Sequence, residues 1–202
     1  MVYLFLADGF EEVEALGTVD VLRRCGVEVQ MLSVTGKRIV TGAHGVVVKA
    51  DSLFRKKHLY HAQAMVLPGG LKGAATLNAN SVLKLVLTQR ASQNELIAAI
   101  CAAPMVLGEL GLLKGRHATC YPGMESRLVG AIYHPGSYVV EDDNLITGSG
   151  PAATFAFALS IARRLVPASV ADEVEHAMLV SGHLDVTYPR PVLRFHHGQT
   201  EA

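Results

Sequence analysis

Residues 98–104 read Ala98-Ala99-Ile100-Cys101-Ala102-Ala103-Pro104. The apolar run Leu96-Ile97-Ala98-Ala99-Ile100 predicts a short buried strand. Pro104 suits the first turn of a helix, where its missing N–H leaves nothing unpaired. Between them stand one cysteine and two alanines, small enough for a sharp strand-to-helix turn that presents a single reactive side chain. A thiolate at such a helix start faces free N–H groups and the positive end of the helix dipole, so the spacing predicts a Cys101 ionised near neutral pH and reactive.

Outward from this turn, short apolar runs alternate with helical stretches, which predicts βαβ units around a largely parallel sheet. Strands are expected at 2–7, 27–34, 64–67, 96–100, 139–140 and 145–147. Helices are expected at 11–25, 81–92, from Cys101 to about Leu110, from Ala152 to about Leu165, and over about 169–180. Gly42 and Gly45 between β-branched pairs suggest a small edge hairpin within 37–51. One domain over 1–183 is expected, with an irregular tail over 184–202, since no linker or repeat divides the 202 residues.

Composition narrows the function. Half of the residues are apolar, 18% are charged, and Lys+Arg equals Asp+Glu. That balance argues against nucleic acid and anionic membranes as partners, because both require a basic face. No apolar run approaches the roughly 20 residues of a membrane span, and the opening run 2–7 lacks the basic flank of a secretory signal. Three cysteines, an odd number, suit reduced thiols and a cytoplasmic location. Cys25, late in an amphipathic helix, reads as a small core hydrophobe; Cys120, before Tyr121-Pro122, is open to either reading. His196 and His197 have no convergent ligands in sequence, so neither a metal nor a cofactor is expected.

Two segments complete a candidate site. Asp8-Gly9-Phe10-Glu11-Glu12-Val13-Glu14 joins the first strand to its helix. Acidic residues in a first turn commonly serve only the helix dipole, and that suffices for Glu12 and Glu11. Glu14 differs if it points back over the sheet towards Cys101. A charged carboxylate there would raise the thiol pKa, so the pair makes sense only if Glu14 carries a proton for the sulfur and the two titrate jointly. In Leu67-Pro68-Gly69-Gly70, the N–H of Gly70 and that of Ala102 could converge on one oxygen, as an oxyanion hole does.

These segments, with Val19-Asp20-Val21-Leu22-Arg23-Arg24 and Thr147-Gly148-Ser149-Gly150-Pro151, resemble the DJ/ThiJ/PfpI superfamily, in the branch of the parkinsonism-associated protein deglycase and its bacterial relatives. The resemblance implies a flavodoxin-like α/β sandwich of the class I glutamine amidotransferase type, and a homodimer. It implies Cys101 as an oxidisable thiol, Glu14 as its protonated partner, and Gly70 and Ala102 as backbone donors. It implies glyoxalase or deglycase action on methylglyoxal or glycated adducts, oxidative-stress protection and chaperone activity; bacterial members bear a thiazole-biosynthesis name for which the residues supply no chemistry. Three positions depart from the pattern. Tyr121 stands where many relatives have histidine, Ala102 where the protease-like branch has one, and His44 where an arginine is frequent. Protease action is therefore not expected, and Tyr121 weighs against a Cys–His pair. An enzyme, a redox-sensing chaperone and a plain interaction domain all stay open on the residues alone.

Overall fold

The computed structural model describes residues 1–55, 62–180 and 192–196. In chain order the elements are β1 (Val2–Leu6), α1 (Glu12–Arg24), β2 (Val29–Ser33), β3 (Ile39–Thr41), β4 (Val47–Lys49), β5 (Ser52–Leu53), β6 (Ala64–Leu67), α2 (Leu71–Ala79), α3 (Ser81–Ser92), β7 (Leu96–Ile100), α4 (Pro104–Glu109), β8 (His117–Ala118), β9 (Ile132–Tyr133), β10 (Val139–Asp142), β11 (Leu145–Gly148), α5 (Thr154–Arg163), α6 (Ala168–Ala177) and β12 (Val192–Phe195). Eight strands form one sheet in the order β12-β10-β11-β7-β6-β1-β2-β5. All its pairings are parallel except β10 with β11. Every residue of β1, β6 and β7 is buried, as expected of strands covered on both faces. Burial of side chains such as Leu4, Phe5 and Leu6 contributes roughly 1.5–3 kcal/mol each.

The strand order fixes where a ligand can sit. From β1 the chain moves to β2 on one side, while β6 and β7 lie on the other. The carboxyl ends of β1 and β6 therefore flank a topological switch point, the crevice where open α/β sheets bind ligands. The segments carrying Glu14 and Gly70 leave the sheet at those two ends.

Three departures from the sequence expectation have physical causes. Helix α2 was not expected, because Leu71-Lys72-Gly73-Ala74 has no side-chain cap and a glycine in its first turn. Its formation depends on fit: a Cβ on Gly73 would lie 2.8 Å from the Phe10 backbone nitrogen, so glycine lets the helix lie against the β1–α1 turn. The hairpin of β3 and β4 forms as expected but is a separate two-stranded sheet. The tail is not wholly irregular: β12 pairs parallel with β10, anchored by Arg194–Glu141 at 3.2 Å and by Phe195 stacked on His117 at 3.4 Å. The rest of the expected tail, apart from residue 196, lies outside the described residues. No described helix is long and apolar enough to cross a membrane.

Candidate active site

Cys101 follows β7 directly and has φ 64°, a left-handed conformation that costs a non-glycine residue of order 1–2 kcal/mol. Backbone bonds on both sides hold it there. Cys101 N–H donates to Gly148 O at 2.9 Å, and Tyr121 N–H donates to Cys101 O at 2.9 Å. The β8 segment that supplies Tyr121 is itself fixed by buried Asp142, which accepts from Arg116 Nε and from His117 N–H, each at 2.6 Å. The expected elbow is thus present, with Pro104 opening α4.

Glu14 is fully buried and lies on the first turn of α1. Its Oε2 accepts the Gly69 N–H at 2.7 Å, while its Oε1 is buried without a hydrogen-bond partner. The carboxyl interacts with the Cys101 side chain, and the N–H groups of Gly70 and Ala102 also donate to Cys101. The structure therefore brings together all four residues singled out in the sequence: Cys101, Glu14, Gly70 and Ala102. Cys101 is 8% exposed, so the residue is sheltered from bulk solvent.

Gly69 was missed as a participant, although the Gly69-Gly70 doublet signalled it. A Cβ there would lie 2.6 Å from Cys101 Cβ and 2.6 Å from Glu14 Oε2, so only glycine lets carboxyl and thiol meet. Gly69→Ala is expected to lower stability by about 2–3 kcal/mol through overpacking and to abolish the Cys101–Glu14 interaction; urea titration and alkylation of Cys101 check both.

Burial raises the Glu14 carboxyl to about 7. The expectation of an independently acidic Cys101 needs correction. Burial first, then the charge and hydrogen bond of Glu14, push the thiol up to about 12, against the Gly70 and Ala102 N–H groups. Helix α4, six residues long, is too short to offset this. The two groups titrate as a unit. The first proton leaves the pair near pH 7; the Gly70 and Ala102 donors favour charge on sulfur, and the Gly69 donor favours charge on the carboxylate.

The neighbouring acids have structural work. Glu11 caps α1, its Oε2 accepting the Glu14 N–H at 2.7 Å. Glu12 is more than a dipole partner: its carboxylate accepts the His44 N–H at 2.7 Å and meets His44 Nδ1 at 2.8 Å, docking the β3–β4 hairpin beside the site. His117 and His134 face each other, Nδ1 to Nε2 at 2.7 Å, and pack with Phe195; neither acts on Cys101. Tyr121 is half-exposed over Gly150. Glu11, Glu12 and His44 are the one described set close enough to hold a metal ion, but Glu12 is already occupied by the hairpin.

Residues 1–164 match the DJ-1/PfpI family. This chain belongs to the DJ-1/PfpI family. It is 37% identical to protein dj-1beta of Drosophila melanogaster over 88% of this chain and 96% of that protein. It is 33% identical to the deglycase PH1704 of Pyrococcus horikoshii over 78% of this chain and 95% of that one. The crystal structure of Drosophila DJ-1beta superposes with a TM-score of 0.86, at 36% identity, covering 90% of this chain and 98% of that chain. The DJ-1/PfpI assignment and its flavodoxin-like, class I glutamine amidotransferase-like fold agree with the sequence expectation. Within that fold, the elbow, Glu14 and the Gly69-Gly70 turn meet at the ends of β7, β1 and β6.

Proposed function

We propose that this chain is a cofactor-free cysteine glyoxalase or deglycase acting on methylglyoxal or its adducts. The observation that carries the reading is a buried Glu14 carboxyl, pinned through Oε2 by Gly69 N–H with Oε1 unpaired, set against a thiol on a strained turn. The deglycase name of the Pyrococcus horikoshii relative supports it. In the one-proton state of the pair, the Cys101 thiolate adds to the aldehyde carbon, forming a C–S bond, and Glu14 gives its proton to the new alkoxide. The Glu14 carboxylate next removes the hydrogen from that carbon and returns it to the adjacent ketone carbon. One carbon is oxidised and its neighbour reduced, leaving a thioester; water cleaves it to lactate and restores the pair. Methylglyoxal plus water becomes lactic acid with no external redox partner. A single carboxyl shuttling between adjacent atoms suits a site with tyrosine where histidine is frequent. Lactate formation by the parent chain and by Cys101→Ala is the test.

Oxidation of Cys101 as a redox signal is the second reading, favoured by the solved oxidised form of Toxoplasma gondii DJ-1, 34% identical to this chain. Peroxide titration with intact-mass readout separates the two: oxygen uptake at Cys101 without lactate formation supports the sensor.

The chain is placed in the cytoplasm as part of this reading; the three free cysteines support it. A homodimer is also proposed. Val13, Ile39, Val46 and Val47 are 47–62% exposed apolar side chains on α1 and the docked hairpin. Light scattering is expected to give twice the 21.6 kDa chain mass, and Val47→Asp to shift it towards monomer.

A further inference from the structure

A ring of hydrogen bonds closes behind Cys101. Its N–H donates to Gly148 O, and its carbonyl accepts the Tyr121 N–H, each at 2.9 Å. Two positions before Tyr121, the Thr119 N–H donates to Thr147 Oγ1 at 2.9 Å. Thr147 is joined through its peptide bond to Gly148, where the ring began. The Thr147 hydroxyl is the one side-chain group in this circuit; every other member is backbone.

Buried strand positions favour apolar side chains, and β11 reads Leu145-Ile146-Thr147-Gly148. Thr147 is buried. Valine would fill the same space without enclosing a hydroxyl, a group that needs a partner when it leaves water. The hydroxyl finds that partner in the Thr119 N–H, and it donates its own proton towards Val140 O at 3.5 Å. Residues 119–121 lie past the end of β8, which pairs with β9 only through His117 and Ala118. The side chain of Thr147 thus supplies the acceptor that a neighbouring strand would otherwise offer. Thr119 Oγ1 donates onward to Ser137 O at 3.2 Å, so both polar groups of Thr119 that can donate are engaged.

This pinned segment bears on the thiol. Cys101 holds φ 64°, a conformation that persists only where its surroundings impose it. Relaxing that angle would turn the sulfur away from the N–H groups of Gly70 and Ala102, which donate to it. Tyr121 holds the Cys101 carbonyl, and Thr147 holds the segment that carries Tyr121. We infer that Thr147 is a positioning residue: through Thr119 and Tyr121, its hydroxyl fixes Cys101 in the left-handed turn that aims the sulfur at its backbone donors. The inference rests on the cysteine reading of the site.

Thr147→Val removes the acceptor and keeps the shape, whereas Thr147→Ser keeps the acceptor. Iodoacetamide alkylation of the whole chain, followed at each cysteine by mass spectrometry from pH 5 to 10, compares them. Thr147→Val is expected to slow Cys101 alkylation near neutral pH about tenfold and to move its midpoint up by about one pH unit, as loss of a hydrogen bond to a thiolate implies. Thr147→Ser is expected to stay within about threefold of the parent, because its hydroxyl can still accept. Cys25, buried at the end of α1, is the control. A purely structural role would open the fold and raise alkylation at Cys25 as well; positioning leaves Cys25 at the parent rate. Amide exchange in the unsubstituted chain tests the same link where the valine variant does not fold: the Thr119 and Tyr121 amides are expected to open together, with protection within about threefold of each other. An unprotected Thr119 amide beside a protected Tyr121 amide overturns the inference. So does an unchanged Cys101 profile in Thr147→Val, an equal loss in Thr147→Ser, or Cys25 labelling that rises in step. The expected shift in Thr147→Val with no lactate from the parent chain keeps the positioning role and overturns the glyoxalase reading.

Discussion

Cys101→Ala is expected to form lactate from methylglyoxal about a thousandfold or more slowly than the parent chain, the scale on which a covalent nucleophile matters. The variant separates chemistry from folding. Alanine is smaller by one sulfur, and the backbone bonds from Gly148 O and Tyr121 N–H that hold the turn do not involve the side chain. Melting temperature is therefore expected to move by only a few degrees, while the atom that forms the C–S bond is gone. A lactate assay and a thermal melt on the same preparation check both parts. Equal rates in variant and parent would remove cysteine chemistry from the account whatever the melt shows.

Glu14→Gln carries the second large effect, on how stability depends on pH. The parent Cys101–Glu14 pair keeps both protons in the folded state to about pH 7, against an ordinary carboxyl value of 4.5. The folded state thus binds more protons than the unfolded state between these values, so stability falls as pH rises. The contribution is fully present below about 4.5 and is lost as pH passes through 7. The full shift corresponds to about 3 kcal/mol. Glutamine can still accept the Gly69 N–H but cannot ionise, so the variant is expected to lack this decline. Urea unfolding at pH 5 and pH 8 measures it as the difference between parent and variant. Glutamine also cannot carry a proton between adjacent carbons, so lactate formation is expected to fall with it.

The elbow was legible because its requirements are local: a strand, small residues and a proline in seven positions. Glu14 was legible through its spacing from the end of β1, and the central parallel strands through unbroken apolar runs. What escaped depends on contacts distant in sequence. Helix α2 needs the Gly73 approach to Phe10. Glu12 looks like a dipole partner until His44, from a hairpin thirty-two positions away, donates to it. Four residues of β12 gain their meaning only from the β10 edge. The thiol pKa was misjudged for the same reason. The turn advertises a helix terminus, whereas the burial that outweighs it comes from the assembled sheet.

Cys101 and Glu14 are expected to hold their protons jointly and to release the first near neutrality. Its most direct test is the rate of iodoacetamide alkylation at Cys101, followed by mass spectrometry from pH 5 to 10. A rise centred near pH 7 and then a plateau is expected. A rate that stays flat and climbs only above the free-thiol value of about 8.5 would contradict the shared proton.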